Sequence, residues 1–229
     1  MPAVDGQFVT ESSDDEPGDY RARVELRLAV GIALPGDRPL FAALLSLDER
    51  LSAVARLTQE PVFAQMRLAW WRDELARPAA ESARDPLLTS LRHEFGPDAS
   101  GLVALVDGWE ARLVGDRDAA ARVTDFANGR GAAFALMAHR LGWSAVSGDA
   151  CRAGELWALA SMASGELRDA SLAAPLAAGK PKAPRLPRRL RPMALLAALS
   201  ARALRRGGAE LLGDRLSPLA ALRIALTGR

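Results

Sequence analysis

An all-α bundle is the fold class this sequence predicts, and three observations predict it. Apolar residues make up 49% of the chain, and many of them are alanine and leucine, the strongest helix formers among apolar residues. There is one tyrosine, and β-branched residues, which favour strands, are few. Apolar positions recur at three- and four-residue spacing between breaks made of proline, glycine and aspartate.

Met1–Asp19 is polar and acidic, with Asp14-Asp15-Glu16 and no apolar period, and reads as a disordered leader. Its charge is the opposite of that of a signal or transit peptide. Helical spacing starts near Tyr20, with Val24, Leu28 and Ile32, and Pro35-Gly36-Asp37 breaks it. The next helix, Arg38–Thr58, puts Leu40, Leu44, Leu47, Leu51 and Val54 on one face. Pro61 suits the first turn of a helix over Val62–Ala76, which ends before Pro78. Asp85-Pro86 opens a short helix to Phe95, closed by Gly96-Pro97. Asp98 can cap a helix to Val114, with Gly115 as its stop. A long helix follows over Asp116–Leu141, then another from Asp149 to Ala174. Pro175–Pro192 carries five prolines among basic residues and is a poor helix. Met193–Leu212 and Pro218–Leu226 close the domain. With 229 residues and no solenoid period, residues 20–229 read as one helical domain.

Charge and cysteine usage narrow the function. The net charge of +2 provides no field for nucleic acid. The basic stretch Lys180–Arg191 has no interleaved aromatic residue, which also argues against nucleic acid. That stretch suits an anion (a diphosphate, an anionic membrane surface or an acidic partner) as well as it suits a solvated loop. Cys151 is the single cysteine, so no internal disulfide forms, and with His93 and His139 it makes no zinc-ligand spacing. No apolar run reaches the ~18 residues of a membrane span. A cytoplasmic location, with peripheral membrane contact through the basic stretch as a variant, is the expectation. No phosphate-binding glycine loop, nucleophile elbow or His-Glu-x-x-His motif appears.

Four stretches are candidates for chemistry. Gln65–Leu75 contains Arg67, Trp70, Trp71, Arg72 and Asp73. Adjacent tryptophans on a helix point about 100° apart, so at most one faces the core squarely. The stretch reads either as an aromatic helix–helix contact or as the wall of an apolar cavity with a polar rim. Arg168-Asp169 reads as a solvated pair in which Asp169 could serve as one oxygen ligand for magnesium. Asp48-Glu49-Arg50 lacks the i, i+3 or i, i+4 acids of a metal pair and reads as a solvated helical face. Asn128-Gly129-Arg130-Gly131 lies inside a helical stretch, where two glycines imply close helix packing or a kink.

Over about Arg27–Arg191 these pieces together resemble the squalene/phytoene synthase family. The resemblance is carried by Leu34-Pro35-Gly36-Asp37-Arg38-Pro39-Leu40-Phe41-Ala42-Ala43-Leu44, by Arg67-Leu68-Ala69-Trp70-Trp71-Arg72-Asp73-Glu74-Leu75, and by Gly165-Glu166-Leu167-Arg168-Asp169 followed by Leu186-Pro187. It implies an isoprenoid-synthase-like helical bundle around a central cavity. Active members join two prenyl diphosphates, using magnesium held by two Asp-x-x-x-Asp-like motifs. Carried onto this chain, the first motif falls on Leu51 and Ala55 and the second on Asp169 and Ala173, so only Asp169 keeps its acid. The pattern resembles the family's non-canonical branch, which includes assembly factors for respiratory complex I. It implies a degenerate, non-catalytic protein that binds an isoprenoid or lipid, or a client protein. Trp70 and Trp71 would line the cavity, with Arg67, Arg72, Asp73, Arg168 and Asp169 among its polar groups. The alternative is an active magnesium-dependent prenyl transferase using Asp169, with Asp73 or Glu166 as further acids.

Overall fold

The structure, a computed structural model, describes residues 17–57, 60–78, 85–113, 117–163, 166–177, 179–212 and Arg223. Among them there are helices and no strand, so the all-α expectation holds. The α-helices are α1 (Pro17–Gly31), α2 (Arg38–Leu57), α3 (Pro61–Ala76), α4 (Pro86–Phe95), α5 (Val103–Leu113), α6 (Ala119–Arg140), α7 (Ser147–Met162), α8 (Arg168–Ala177) and α9 (Arg191–Arg205). None is long and apolar enough to cross a membrane.

The helix ends follow from local chemistry. Pro61, Pro86 and Pro192 stand in first turns, where a missing N–H costs nothing. Asp85 caps α4 by accepting from the N–H groups of Leu87 at 2.8 Å and Leu88 at 3.2 Å. Asp118, two residues after the expected start at Asp116, caps α6 through the N–H of Ala121. Three expectations are corrected. Asp98 caps nothing: it lies in a 3₁₀ turn, Gly96–Leu102, whose Ala99 and Leu102 are buried, and α5 starts only at Val103. The single helix expected over Asp149–Ala174 is two, α7 ending at Met162 and α8 starting at Arg168, and a turn packs against the end of α7. Gly207 and Gly208, both at positive φ, follow α9 there, and a Cβ on Gly208 would stand 2.6 Å from the carbonyl oxygen of Ala163. Finally, α1 begins at Pro17, inside the expected leader. The rest of the leader and the expected Pro218–Leu226 helix lie outside the described residues, apart from Arg223.

α6 is the central helix. It packs most extensively on α7 and α5, while α7 also carries α9, α5 carries α3, and α2 carries α4. Two glycine seams set these distances. A Cβ on Gly129 would lie 2.6 Å from the carbonyl oxygen of Ala104 and 3.0 Å from the Cα of Gly108, so α5 and α6 touch backbone to backbone. A Cβ on Gly154 would lie 2.5 Å from the carbonyl oxygen of Arg130 and 3.0 Å from the Cα of Gly131, which closes α6 on α7 in the same way. Close packing is therefore the role of the glycines flanking Arg130. At the far end Arg189, from the basic proline stretch, donates from Nε and Nη2 to the buried Asp37 at 2.7 Å each. This fork ties the turn after α1 to the turn before α9.

Because the obstruction at Gly154 is backbone, Gly154→Ala should cost about 1–3 kcal/mol. Gly148 meets nothing within 4 Å, so Gly148→Ala should be neutral or gain about 0.5–1 kcal/mol. Urea unfolding of the two variants beside the parent checks both values.

Candidate functional site

The site starts from an acid on the wrong side of a helix. Asp48 sits one turn from Leu44 and one turn from Leu51, on the apolar face of α2, and both leucines are buried. A carboxylate there must be met by donors or it costs several kcal/mol. It is met in full. Trp109 of α5 donates from Nε1 to Oδ1 at 3.0 Å. Arg130 of α6 donates from Nε to Oδ1 at 2.9 Å and from Nη2 to Oδ2 at 2.7 Å, a bidentate pair with both side chains 5% exposed. Nη1 of Arg130 donates to Ser161 Oγ of α7 at 2.8 Å. The guanidinium carbon lies 3.9 Å from the ring centre of Trp157 and 4.6 Å from that of Phe126. The solvated face expected for Asp48-Glu49-Arg50 is thus corrected at Asp48. Only Arg50 is fully exposed, and Glu49 is half-buried.

Two cavities flank this cluster. The first, of about 400 Å³, is lined by Asp48, Trp109, Arg130 and Trp157 on its floor, by Arg56 and Arg112 on one side, and by Glu25, Glu49 and Glu210 as further acids. The second, of about 310 Å³, is lined by Ala55, Arg56, Arg112, Arg122, Met162 and Glu166, with Leu113 and Leu167. Arg56 and Arg112 belong to both. Arg112 lies over the rings of Trp109 at 5.2 Å and Phe126 at 5.6 Å. Among the described residues no hydrogen bond or ion pair holds its guanidinium.

Burial and charge shift two groups here. Burial first, and then the Arg130 charge, pull Arg112 down to about 10; Asp48 opposes this, and Arg56 and Arg122 add to it. It stays a cation at neutral pH. Burial first, and then Glu210, push the Glu25 carboxyl of α1 up to about 8. The first cavity therefore holds a neutral acid at pH 7.

The residues singled out in the sequence lie elsewhere. Trp71 is buried at 3% exposure, whereas Trp70 stands out from α3 at 44%, edge-on to Trp71 at 5.0 Å. Arg72 is held by Asp107 and Glu110 of α5, and Arg67 and Asp73 are exposed. Arg168 reaches the carbonyl oxygen of Gly207 at 3.1 Å, and the Asp169 side chain is 98% exposed beside it. None of these seven lines either arginine cavity. Of the positions to which the resemblance carries motif acids, Leu51 is in the core and Ala55 lines the second cavity.

The residues present do not fit magnesium. Among the described residues no three His, Cys, Asp or Glu side chains gather as a metal site, and the oxygens of Asp48 are taken by Arg130 and Trp109. The arrangement offers guanidinium groups and aromatic faces instead, a setting for an anionic group attached to an apolar body.

Removing Asp48 leaves Arg130 buried without its counter-charge, so Asp48→Ala should cost about 3–5 kcal/mol, while Asp48→Leu combined with Arg130→Met should restore most of the loss. Chemical denaturation of the single and double variants reads the difference. Glu25 gives a pH dependence with a definite sign. Between 4.5 and about 8 the unfolded chain ionises this acid and the folded chain keeps it protonated, so the stability it contributes falls as pH rises through that window. Glu25→Gln should shrink the fall in Tm between pH 5 and pH 8.

No family model, no curated protein and no solved structure matches this chain, so a functional assignment rests on the geometry of the site.

Proposed function

We propose that the protein is a non-catalytic binding domain that takes an isoprenoid-like or other apolar ligand with an anionic head in the arginine-lined cleft. One observation carries this reading. The cavity beside the centre of the bundle presents Arg56, Arg112 and Arg130 with two tryptophans, and its most buried acid is occupied by Arg130. Guanidinium groups hold a negative head directly, through forked hydrogen bonds that need no bridging metal. A volume of about 400 Å³ is in the range of small-ligand sites. The resemblance to the degenerate branch of the squalene/phytoene synthases agrees with a binding role and with service to respiratory-complex assembly.

A second reading, a client-protein role, is favoured by a specific surface. Val62, Phe63, Met66 and Trp70 are 44–63% exposed on α3, and three of them recur at i, i+4 and i+8. Such a stripe is what an apolar helix of a client would cover. The exposed Lys180, Lys182, Arg185 and Arg188 add a basic edge that suits an anionic membrane surface or an acidic client.

Native mass spectrometry of the freshly purified protein separates the readings. A stoichiometric amphiphile, lost in Arg112→Gln, supports the first. A stoichiometric protein partner, lost in Met66→Glu while the small molecule is absent, favours the second. Incubation with farnesyl and geranylgeranyl diphosphates plus magnesium should give no coupled product. Turnover abolished by Asp169→Asn would overturn both.

A further inference from the structure

The second cavity carries an inference that deepens the binding reading and rests on it only for the apolar part of the ligand. Three helices deliver a guanidinium to it: Arg56 from α2, Arg112 from α5 and Arg122 from α6. Glu166 is the one carboxylate among the described lining residues, and its side chain is 78% exposed, where water weakens its field. Arg122 is 7% exposed. It is held in place by donating from Nη2 to the carbonyl oxygen of Arg112 at 2.6 Å and from Nη1 to Glu166 at 2.8 Å. Its Nε is buried and makes no hydrogen bond. Arg112 is positioned by aromatic faces rather than by a carboxylate. Like charges gathered at a part-buried cavity repel one another, and an anion that enters relieves that repulsion.

We propose that this cavity is a metal-independent site for a phosphate group, either free phosphate or the phosphate monoester head of a lipid, held by Arg112 and Arg122 with Arg56 at the boundary with the first cavity. A tetrahedral dianion presents its oxygens in several directions and so matches guanidinium groups arriving from different helices. At about 310 Å³ the cavity exceeds the volume of a phosphate group. The adjoining cleft, which shares Arg56 and Arg112, leaves a path for a lipid body. Burial of Arg112 and the neighbouring cations make its charge costly, with only Asp48 opposing them, and a bound anion would offset that cost.

Isothermal titration of the full chain with inorganic phosphate, in EDTA and with chloride held constant, tests the site. Binding should be saturable, should fall at least tenfold in Arg112→Gln, and should tighten severalfold in Glu166→Gln, which removes the lone carboxylate. The Arg112 guanidinium makes no hydrogen bond among the described residues, and the carbonyl oxygen that holds Arg122 is backbone, so Arg112→Gln should keep the parent's circular dichroism and melting profile. Vesicles of phosphatidylcholine with and without phosphatidic acid form the second arm. Binding confined to phosphatidic acid vesicles and lost in Arg112→Gln assigns the lipid head, and binding to inorganic phosphate alone assigns the free ion. The inference is overturned if phosphate binds in neither arm, binds only with magnesium, or binds equally well to Arg112→Gln. An amphiphile that still co-purifies in that case leaves the broader binding reading standing without this site.

Discussion

The rest of the structure is arranged around one buried ion pair. Asp48 and Arg130 lie on helices far apart in sequence, and their side chains are each 5% exposed. Taking two charges out of water carries a penalty that Coulomb attraction offsets only when every remaining donor and acceptor is also used. The surroundings meet that condition. Trp109 supplies a second donor to Asp48, Ser161 accepts from Arg130, and the guanidinium lies against aromatic faces whose negative π clouds favour a cation. Four helices, α2, α5, α6 and α7, thus contribute to one polar cluster, and each must arrive in a fixed register for it to close.

That requirement explains the glycines. Arg130 reaches Trp109 on one side and Trp157 on the other because α6 approaches α5 and α7 without side chains between the backbones, at Gly108–Gly129 and Gly131–Gly154. A glycine inside a helix costs roughly 0.5–1 kcal/mol in conformational entropy, and four of them are spent on two contacts. The return is a set of side chains held without slack. Preorganisation of this kind is what lets a polar group recognise a ligand without first rearranging.

Sequence reasoning reached the helices more readily than the site. Helix periods and breaks are local, so α2, α3, α4 and α6 are readable to within a few residues from their proline, aspartate and glycine signals. The split between α7 and α8 is less legible. Ser164-Gly165 is its one local signal in the sequence, and the turn that lies against Ala163 comes from some forty residues later. The site failed for a related reason. Asp48 was legible as an anomaly, an acid one turn from Leu44 and one from Leu51, and its position on the apolar stripe could have marked it as buried and partnered. Arg130 between two glycines was the matching signal. What sequence could not supply was that these two meet, since their pairing depends on the tertiary approach of α2 to α6. Trp70-Trp71 and Arg168-Asp169 are more conspicuous in the sequence, but Trp71 is buried under α3, Trp70 stands at the surface, and Asp169 sits at an exposed helix start.

The two tryptophans of α3 show how one motif can serve two ends of a protein. Trp71 is buried in the core, while Arg72 ties α3 to α5 through its ion pairs to Asp107 and Glu110. Trp70, turned away from the core, joins Val62 and Met66 in a stripe facing solvent. α5 meets both places, since the helix that presents Trp109 and Arg112 to the cavities also presents Asp107 and Glu110 to Arg72 of α3.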